Sequence, residues 1–327
     1  MKKEKQNLNI QKWITAFSVL LLVLKFSAYY FTHSVSILTD ALESIVNVAA
    51  GFIGLISLYI AAKPRDKDHP YGHGKAEFIS AAIEGTLISS AGVIIIYKSI
   101  KSFIVPVTLQ QLDFGILLVG IAAIVNFILG FISVRQGKKN ESLALIASGR
   151  HLQTDSYTTV GIVAGLGLIY LTGYQWIDPV VAIIFGLFII FTGYRILRKS
   201  VAGIMDEADK KILNRIVKLL NESRRENWVD LHNLRVIKYG SVLHLDCHLT
   251  LPWYLKVHEA HIEMEALSDL VKRQFGDAVE LFVHTDGCLD FSCKICTKKV
   301  CDVRKHPLEK KINWTIDNIL QNQKHHL

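Results

Sequence analysis

Cysteine is absent from the first three-quarters of this 327-residue chain; its five cysteines are Cys247, Cys288, Cys293, Cys296 and Cys301. No disulfide can therefore tie residues 1–246, and thiols on the cytoplasmic side of a membrane stay reduced. Lys and Arg are missing from residues 26–62, 102–134 and 151–194, which excludes cytoplasm-facing loops within those stretches by the positive-inside rule. There is no nucleophile–base arrangement and no glycine-rich loop to cradle phosphate, so the chain does not read as an enzyme.

Half of the residues are hydrophobic, and they gather into six runs near 13–32, 36–62, 78–100, 112–134, 142–171 and 177–194, each about the twenty residues that cross a bilayer core. The amino terminus is basic, but the run behind it is too long for a signal-peptide core and lacks a small-residue cleavage site, so it reads as a first spanning helix. The segments rich in Lys and Arg are the amino terminus, 63–75, 135–139 and 195–199. They face the cytoplasm by the positive-inside rule, which places both termini inside a cell (inner) membrane. Lys98 and Lys101 at the outer end of the third run are expected to snorkel, as is Lys25 in the first. The net charge of +8 then reflects topology and anionic lipid, with no nucleic-acid partner implied.

Against this background the stretch from Asp40 to Asn47 stands out. Asp40, Glu43 and Asn47 recur at helical spacing on one side of the second run, and ionisable groups in a bilayer are costly enough to mark function. His151 and Asp155 answer them from the fifth run, again four apart. At a rise of 1.5 Å per residue, Glu43 and Asn47 lie roughly 12 to 18 Å deep and His151 about 14 Å, reached from opposite ends. Interhelical polar glue would need only Ser or Asn; two carboxylates and an imidazole at one depth suit a divalent metal. Glu84 in the third run either lines the same cavity or reaches water.

The loop between the second and third runs packs Asp66, Asp68, His69 and His73 into eight residues, with Gly72 and Gly74 beside His73. Its carboxylates and imidazoles could hold an ion, or form a solvated loop. From about residue 206 the composition turns mixed and charged. The order helix (207–222), strand (231–238), strand (242–250), helix (256–275), strand (279–285) predicts a small α+β sandwich with helices on one face. In the second strand Leu243, Leu245, Cys247 and Leu249 alternate with His244, Asp246 and His248, so one face is core and Cys247 is a buried thiol. His232, His244, His248, His261 and His284, with Asp286, are dense enough for a metal-binding surface. Behind them Cys288, Cys293, Cys296 and Cys301 are spaced as Cys-x4-Cys-x2-Cys-x4-Cys. The choice there lies between a thiolate metal site and a reduced tail, and the segment from Lys305, with His325 and His326, reads as a solvated extension. The resulting partition is 1–205 for the spans, 206–287 for the soluble domain and 288–327 for a Cys-rich tail.

Six spans, Glu43-x3-Asn47, His151-x3-Asp155 and the loop His-Pro-Tyr-Gly-His-Gly-Lys-Ala-Glu at 69–77 resemble the cation diffusion facilitator family of divalent-metal transporters, over roughly residues 13–286. The resemblance implies an all-α six-helix membrane bundle followed by a metallochaperone-like, ferredoxin-like α+β domain. It also implies a homodimer that exports zinc or a neighbouring divalent ion (iron, manganese, cobalt, cadmium) in exchange for protons, the metal acting as substrate and as regulatory ion. Carried over by position, Glu43, Asn47, His151 and Asp155 would form the transport site and Asp66, His69 and His73 the loop site. His232, His248, His261, His284 and Asp286 would form the cytoplasmic cluster at the dimer interface, and Lys75 and Asp206 the interlock between membrane and soluble parts. Relatives commonly carry Asp where this chain has Asn47. The four tail cysteines lie outside the family pattern. The competing reading is a membrane-anchored metal sensor, which would have no use for ligands at mid-bilayer.

Overall fold

The computed structural model describes residues 2–61, 63–105, 109–140, 143–239, 242–276 and 279–327. The chain divides into two compact units, one of Met1–Tyr59 with Glu77–Val201, the other of Ile60–Ala76 with Ala202–Leu327.

The first unit consists of long helices: α1 (Lys2–Thr32), α2 (Val35–Ala61), α3 (Ala76–Ile104), α4 (Leu112–Asn140), α5 (Leu143–Thr172) and α6 (Ile177–Ile204). Among the described residues five of them, all but α5, are long and apolar enough to cross a membrane. Helix α5 spends its hydropathy on Arg150, His151, Gln153, Thr154 and Asp155, the segment that carries the candidate ligands. Inward-facing apolar residues form two clusters, one around Val46, Ile88, Ile95 and Ile189, the other around Ile37, Val119, Ile162 and Leu166. Phe52, Ile94, Phe131 and Leu187 remain exposed, the pattern of a bundle whose outer solvent is lipid.

Helix α2 starts where a buried carboxylate meets its free amides. Asp178 accepts from the Ser34 hydroxyl (2.6 Å) and from the backbone N–H of Val35 (2.7 Å) and Ser36 (3.2 Å). A negative charge there satisfies donors that no helical carbonyl reaches and complements the helix dipole. This fixes the register of α2, and with it the depth of Glu43 and Asn47.

Lys25 departs from expectation. It does not snorkel: it is 1 % exposed and its ammonium lies 2.8 Å from Asp40 Oδ1. The Thr159 hydroxyl donates to the same oxygen at 2.6 Å. Lys25 sits too far inside the bundle to reach an interface, and Asp40 is the partner its charge requires.

The second unit is an α+β layer. Asp209 caps α7 (Lys210–Glu222) by accepting from Lys211 N and Ile212 N, and Leu213, Ile216, Val217 and Leu220 point inward at helical spacing. Strands β1 (Asp230–Tyr239) and β2 (Val242–Leu251) pair antiparallel. Helix α8 (Val257–Phe275) then carries the chain over to β3 (Val279–Gly287), parallel to β2. The core joins Trp228, Leu231, Leu245, Cys247, Leu249, Leu267 and Val271. Burial pushes the Cys247 thiol up to about 12, as an inward-facing strand position predicts.

The carboxyl-terminal segment is not a solvated extension. Trp314 and Ile319 belong to the same core. Asn221 on α7 donates to Trp314 O (2.7 Å) and accepts from Trp314 N (3.0 Å), and Arg224 stacks over the Trp314 ring at 4.2 Å. Further on, Gln321 O accepts from Asn233 N at 2.8 Å. One tryptophan among mostly polar residues anchors a segment whose average composition suggested solvent.

Candidate metal centres

In the first unit, Asn47 of α2 stands between the two α5 side chains. Its Nδ2 donates to Asp155 Oδ2 at 2.5 Å and its Oδ1 lies 2.7 Å from His151 Nε2. His151 Nε2 and Asp155 Oδ2 are 3.8 Å apart, a spacing that a cation bound at about 2.0–2.2 Å to each would bridge. Asp155 is 1 % exposed, and its other oxygen, Oδ1, is buried without a hydrogen-bond partner. Glu43, Asn47, His151 and Asp155 line one cavity of about 30 Å³, closed on the far side by Ile88, Phe188 and Ile189. That is room for a single ion or water. Glu84 does not line it.

The loop ahead of α3 belongs to the second unit. The backbone N–H of His69 donates to Asp66 Oδ1 (2.7 Å), His69 Nδ1 lies 3.0 Å from the same oxygen and His73 Nε2 lies 3.4 Å from Oδ2. The turn needs Gly72, whose φ of +91° lies in the left-handed region. These hydrogen bonds, the backbone one foremost, hold the Asp66 carboxyl below its usual range. The loop is also tied down: Arg65 pairs with Glu280 of β3, and Tyr71 packs against Tyr239 and His244. Lys75 donates to Asp206 Oδ2 at 2.9 Å, the pair expected from the sequence.

Strand register assembles the third group. His232 sits opposite His248, and His248 opposite His284, so three imidazoles form one row across β1, β2 and β3. Asp286, two residues beyond His284, falls on the same face. Its Oδ2 is 3.5 Å from His232 Nε2 and 3.4 Å from His248 Nδ1, while Oδ1 is 3.7 Å from His284 Nε2. Asp286 Oδ2 is buried and makes no hydrogen bond, which leaves it free to coordinate a cation. A bulge between His232 and Arg235 turns the β1 backbone beside this row. Burial lowers the His232 pKa despite Asp230 and Asp286, which favours the neutral imidazole that metal ligation requires.

Asp230 was missed in the sequence. It lies 3.7 Å behind His232 Nδ1 and is gripped by the carboxyl-terminal segment, with His325 Nδ1 2.5 Å away and His325 N donating at 2.9 Å. Burial would raise this carboxyl, but the His325 hydrogen bonds outweigh it and bring it below its usual range. At 3.7 Å Asp230 makes no hydrogen bond to His232 Nδ1, and it acts on the imidazole through its charge; its proximity to His232 in sequence was the available signal.

Among the described residues, two sets of three bring one ligand atom each within 4.8 Å: Asp66 with His69 and His73, and His232 with His248 and Asp286. His261 does not join the second set within one chain. It is exposed on α8, 3.6 Å from Glu265, and α8 packs through Leu267 and Val271 on the core face of the sheet with Leu245 and Leu249. The four tail cysteines are free thiols and no three of their sulfurs reach this spacing.

Residues 12–205 match the family of cation efflux transmembrane domains, and residues 208–288 that of the cytoplasmic domain of cation efflux proteins. The chain belongs to the cation diffusion facilitator family. An uncharacterized transporter of Synechocystis sp. is 34 % identical over 248 residues, 76 % of this chain and 80 % of the relative. The cation-efflux pump FieF of Citrobacter koseri is 28 % identical over 283 residues (84 % and 90 %). The pump of the same name from Salmonella arizonae is 28 % identical over 284 residues, with the same coverage. This member of the cation diffusion facilitators is therefore a multi-pass membrane transporter of divalent metal cations, and its family is not one of enzymes.

Proposed function

We propose that this protein exports a divalent transition metal, zinc foremost, from the cytoplasm across the inner membrane by alternating access, in exchange for protons. The observation that carries this is the His151–Asn47–Asp155 cluster, with a buried, unpartnered Asp155 oxygen in a cavity sized for one ion. One imidazole and two carboxylates suit zinc and its neighbours. These groups bind metal only when deprotonated, so entry of the ion releases protons and return of protons releases the ion. Asn47, held between His151 and Asp155, completes the site with Glu43. Both termini lie in the cytoplasm on the Lys and Arg distribution. The assembly is a homodimer through the cytoplasmic domain, where the loop triad and the histidine row hold regulatory ions.

The experiment is metal flux into sealed proteoliposomes with and without an opposing pH gradient, across zinc, iron, manganese, cobalt and cadmium. Flux should rise with the gradient and fall to background in Asp155→Ala. Undiminished flux in that variant rejects the assignment, and no flux for any ion would leave the protein a membrane-anchored metal sensor.

A further inference from the structure

The segment from Cys288 to Arg304 is held in place by little that is visible in its composition. Its one regular element is a 3₁₀ turn, Asp290–Lys294, and Leu289 and Val300 are exposed while only Ile295 and Cys296 are buried hydrophobics. A stretch with so small an apolar core needs a staple. Its four cysteines are gathered. Cys293 and Cys296 form a knuckle in which Cys296 N donates to Cys293 O at 3.3 Å. Arg304 ties that knuckle to the Cys301 turn: its guanidinium donates to Cys293 O (3.1 Å), Cys296 O (3.3 Å) and Lys298 O (2.5 Å), and its own backbone N–H donates to Cys301 O (3.2 Å). Cys288, at the end of β3, is anchored by its N–H on Leu251 O (2.8 Å). The Cys288 thiol lies within electrostatic reach of the other three, and the Tyr254 hydroxyl stands beside Cys301. Three of the thiols thus sit on two turns joined by one arginine clamp, with Cys288 at the end of β3 near them and Tyr254.

We propose that Cys288, Cys293, Cys296 and Cys301 bind a single zinc-class ion as a tetrahedral thiolate site that is structural and stands apart from the transport path. On loading, four S–H protons leave to solvent and four sulfur–metal bonds form. The thiols close from their metal-free spacing by side-chain rotation, and the Tyr254 contact with Cys301 gives way. The loaded site carries two negative charges in excess, and Arg304, Lys294 and Lys298 lie in the same segment to offset them. An oxygen-preferring ion such as manganese or magnesium is excluded by the all-sulfur donor set. The consequence reaches the histidine row. The stapled segment leads into Trp314 and then to Lys324 and His325, of which Lys324 lies 3.7 Å from Asp286 Oδ1 and His325 bonds Asp230. The ion in the thiols thereby holds the chain that places Lys324 and His325 beside the histidine row.

The test uses the full chain in detergent, reduced, loaded with cobalt(II) and dialysed free of unbound metal. The expected spectrum has a thiolate-to-cobalt charge-transfer band and intense tetrahedral d–d bands. These persist in His232→Ala/Asp286→Ala and disappear in Cys293→Ser/Cys296→Ser, with the loss of an ion per chain by metal analysis. Should the cysteine variant fail to fold, the wild-type protein decides the matter alone. A cobalt spectrum with only nitrogen and oxygen ligands, or a Cys293–Cys296 disulfide found by mass spectrometry of the protein as isolated, overturns the site.

Discussion

Lys25 and Asp40 form an ion pair in which both partners are all but inaccessible. The pair gives little net stability as a whole, but removing either member strands a charge in a low-dielectric interior, at a cost of about 3–5 kcal/mol. Lys25→Met should therefore lower the thermal midpoint of the detergent-solubilised protein sharply, and Lys25→Met/Asp40→Leu should recover most of the loss. Equal midpoints for the single and double variants would show that Asp40 finds another partner. Cys247 makes the opposite case, a polarisable group kept neutral. Its thiol is raised by burial to about 12, above an unfolded value of about 8.5. The contribution to stability is thus fully present below about pH 8.5 and is lost as pH rises toward 12. At pH 8.5 iodoacetamide should leave Cys247 unlabelled in the folded protein and label it after denaturation, read by peptide mass spectrometry.

Helix α3 meets α6 through glycines. A Cβ on Gly85 would come 2.8 Å from Leu197 N and 2.9 Å from Gly193 O, and one on Gly92 would come 3.0 Å from Gly186 O. At Gly85 the nearest obstacles are backbone, which cannot rotate away, so the two helix axes must separate there. Small residues that let backbones approach are the usual means of association where lipid removes the hydrophobic drive. Gly85→Val should therefore widen the α3–α6 crossing, which lines the cavity with Ile88 and Phe188, and reduce metal flux while Glu84→Ala, one position away and off the cavity, leaves it near normal. Equal flux in Gly85→Val and wild type would show that the crossing tolerates the wider spacing. In the sheet, the histidine row depends on register in the same way: one residue of slip between β1 and β2 would turn His232 to the other face.

Across the whole molecule the carboxyl-terminal segment matters more than its polarity implies. Trp314→Ala should destabilise the second unit by about 3–5 kcal/mol, seen as a lower unfolding midpoint and as faster hydrogen exchange in β1, whose Asp230 it approaches through Nε1 at 3.4 Å. An unchanged midpoint would mean that Asn221 and Arg224 hold the segment alone. The sequence by itself determined the long apolar helices and the α+β order, and it put Asn47 on one helix, His151 and Asp155 on another and Asp66, His69 and His73 in one loop, because hydropathy and period are local properties. The Lys25 pairing is not legible in the sequence because its partner lies fifteen residues away across a helix turnaround. Asp230 and His325, ninety-five residues apart, carried no shared pattern at all. His261 has the right chemistry on a helix whose facing is set by packing. Only tertiary structure decided which polar groups meet, since a side chain's partner follows from long-range register and from the burial that makes an unpaired charge too costly to leave.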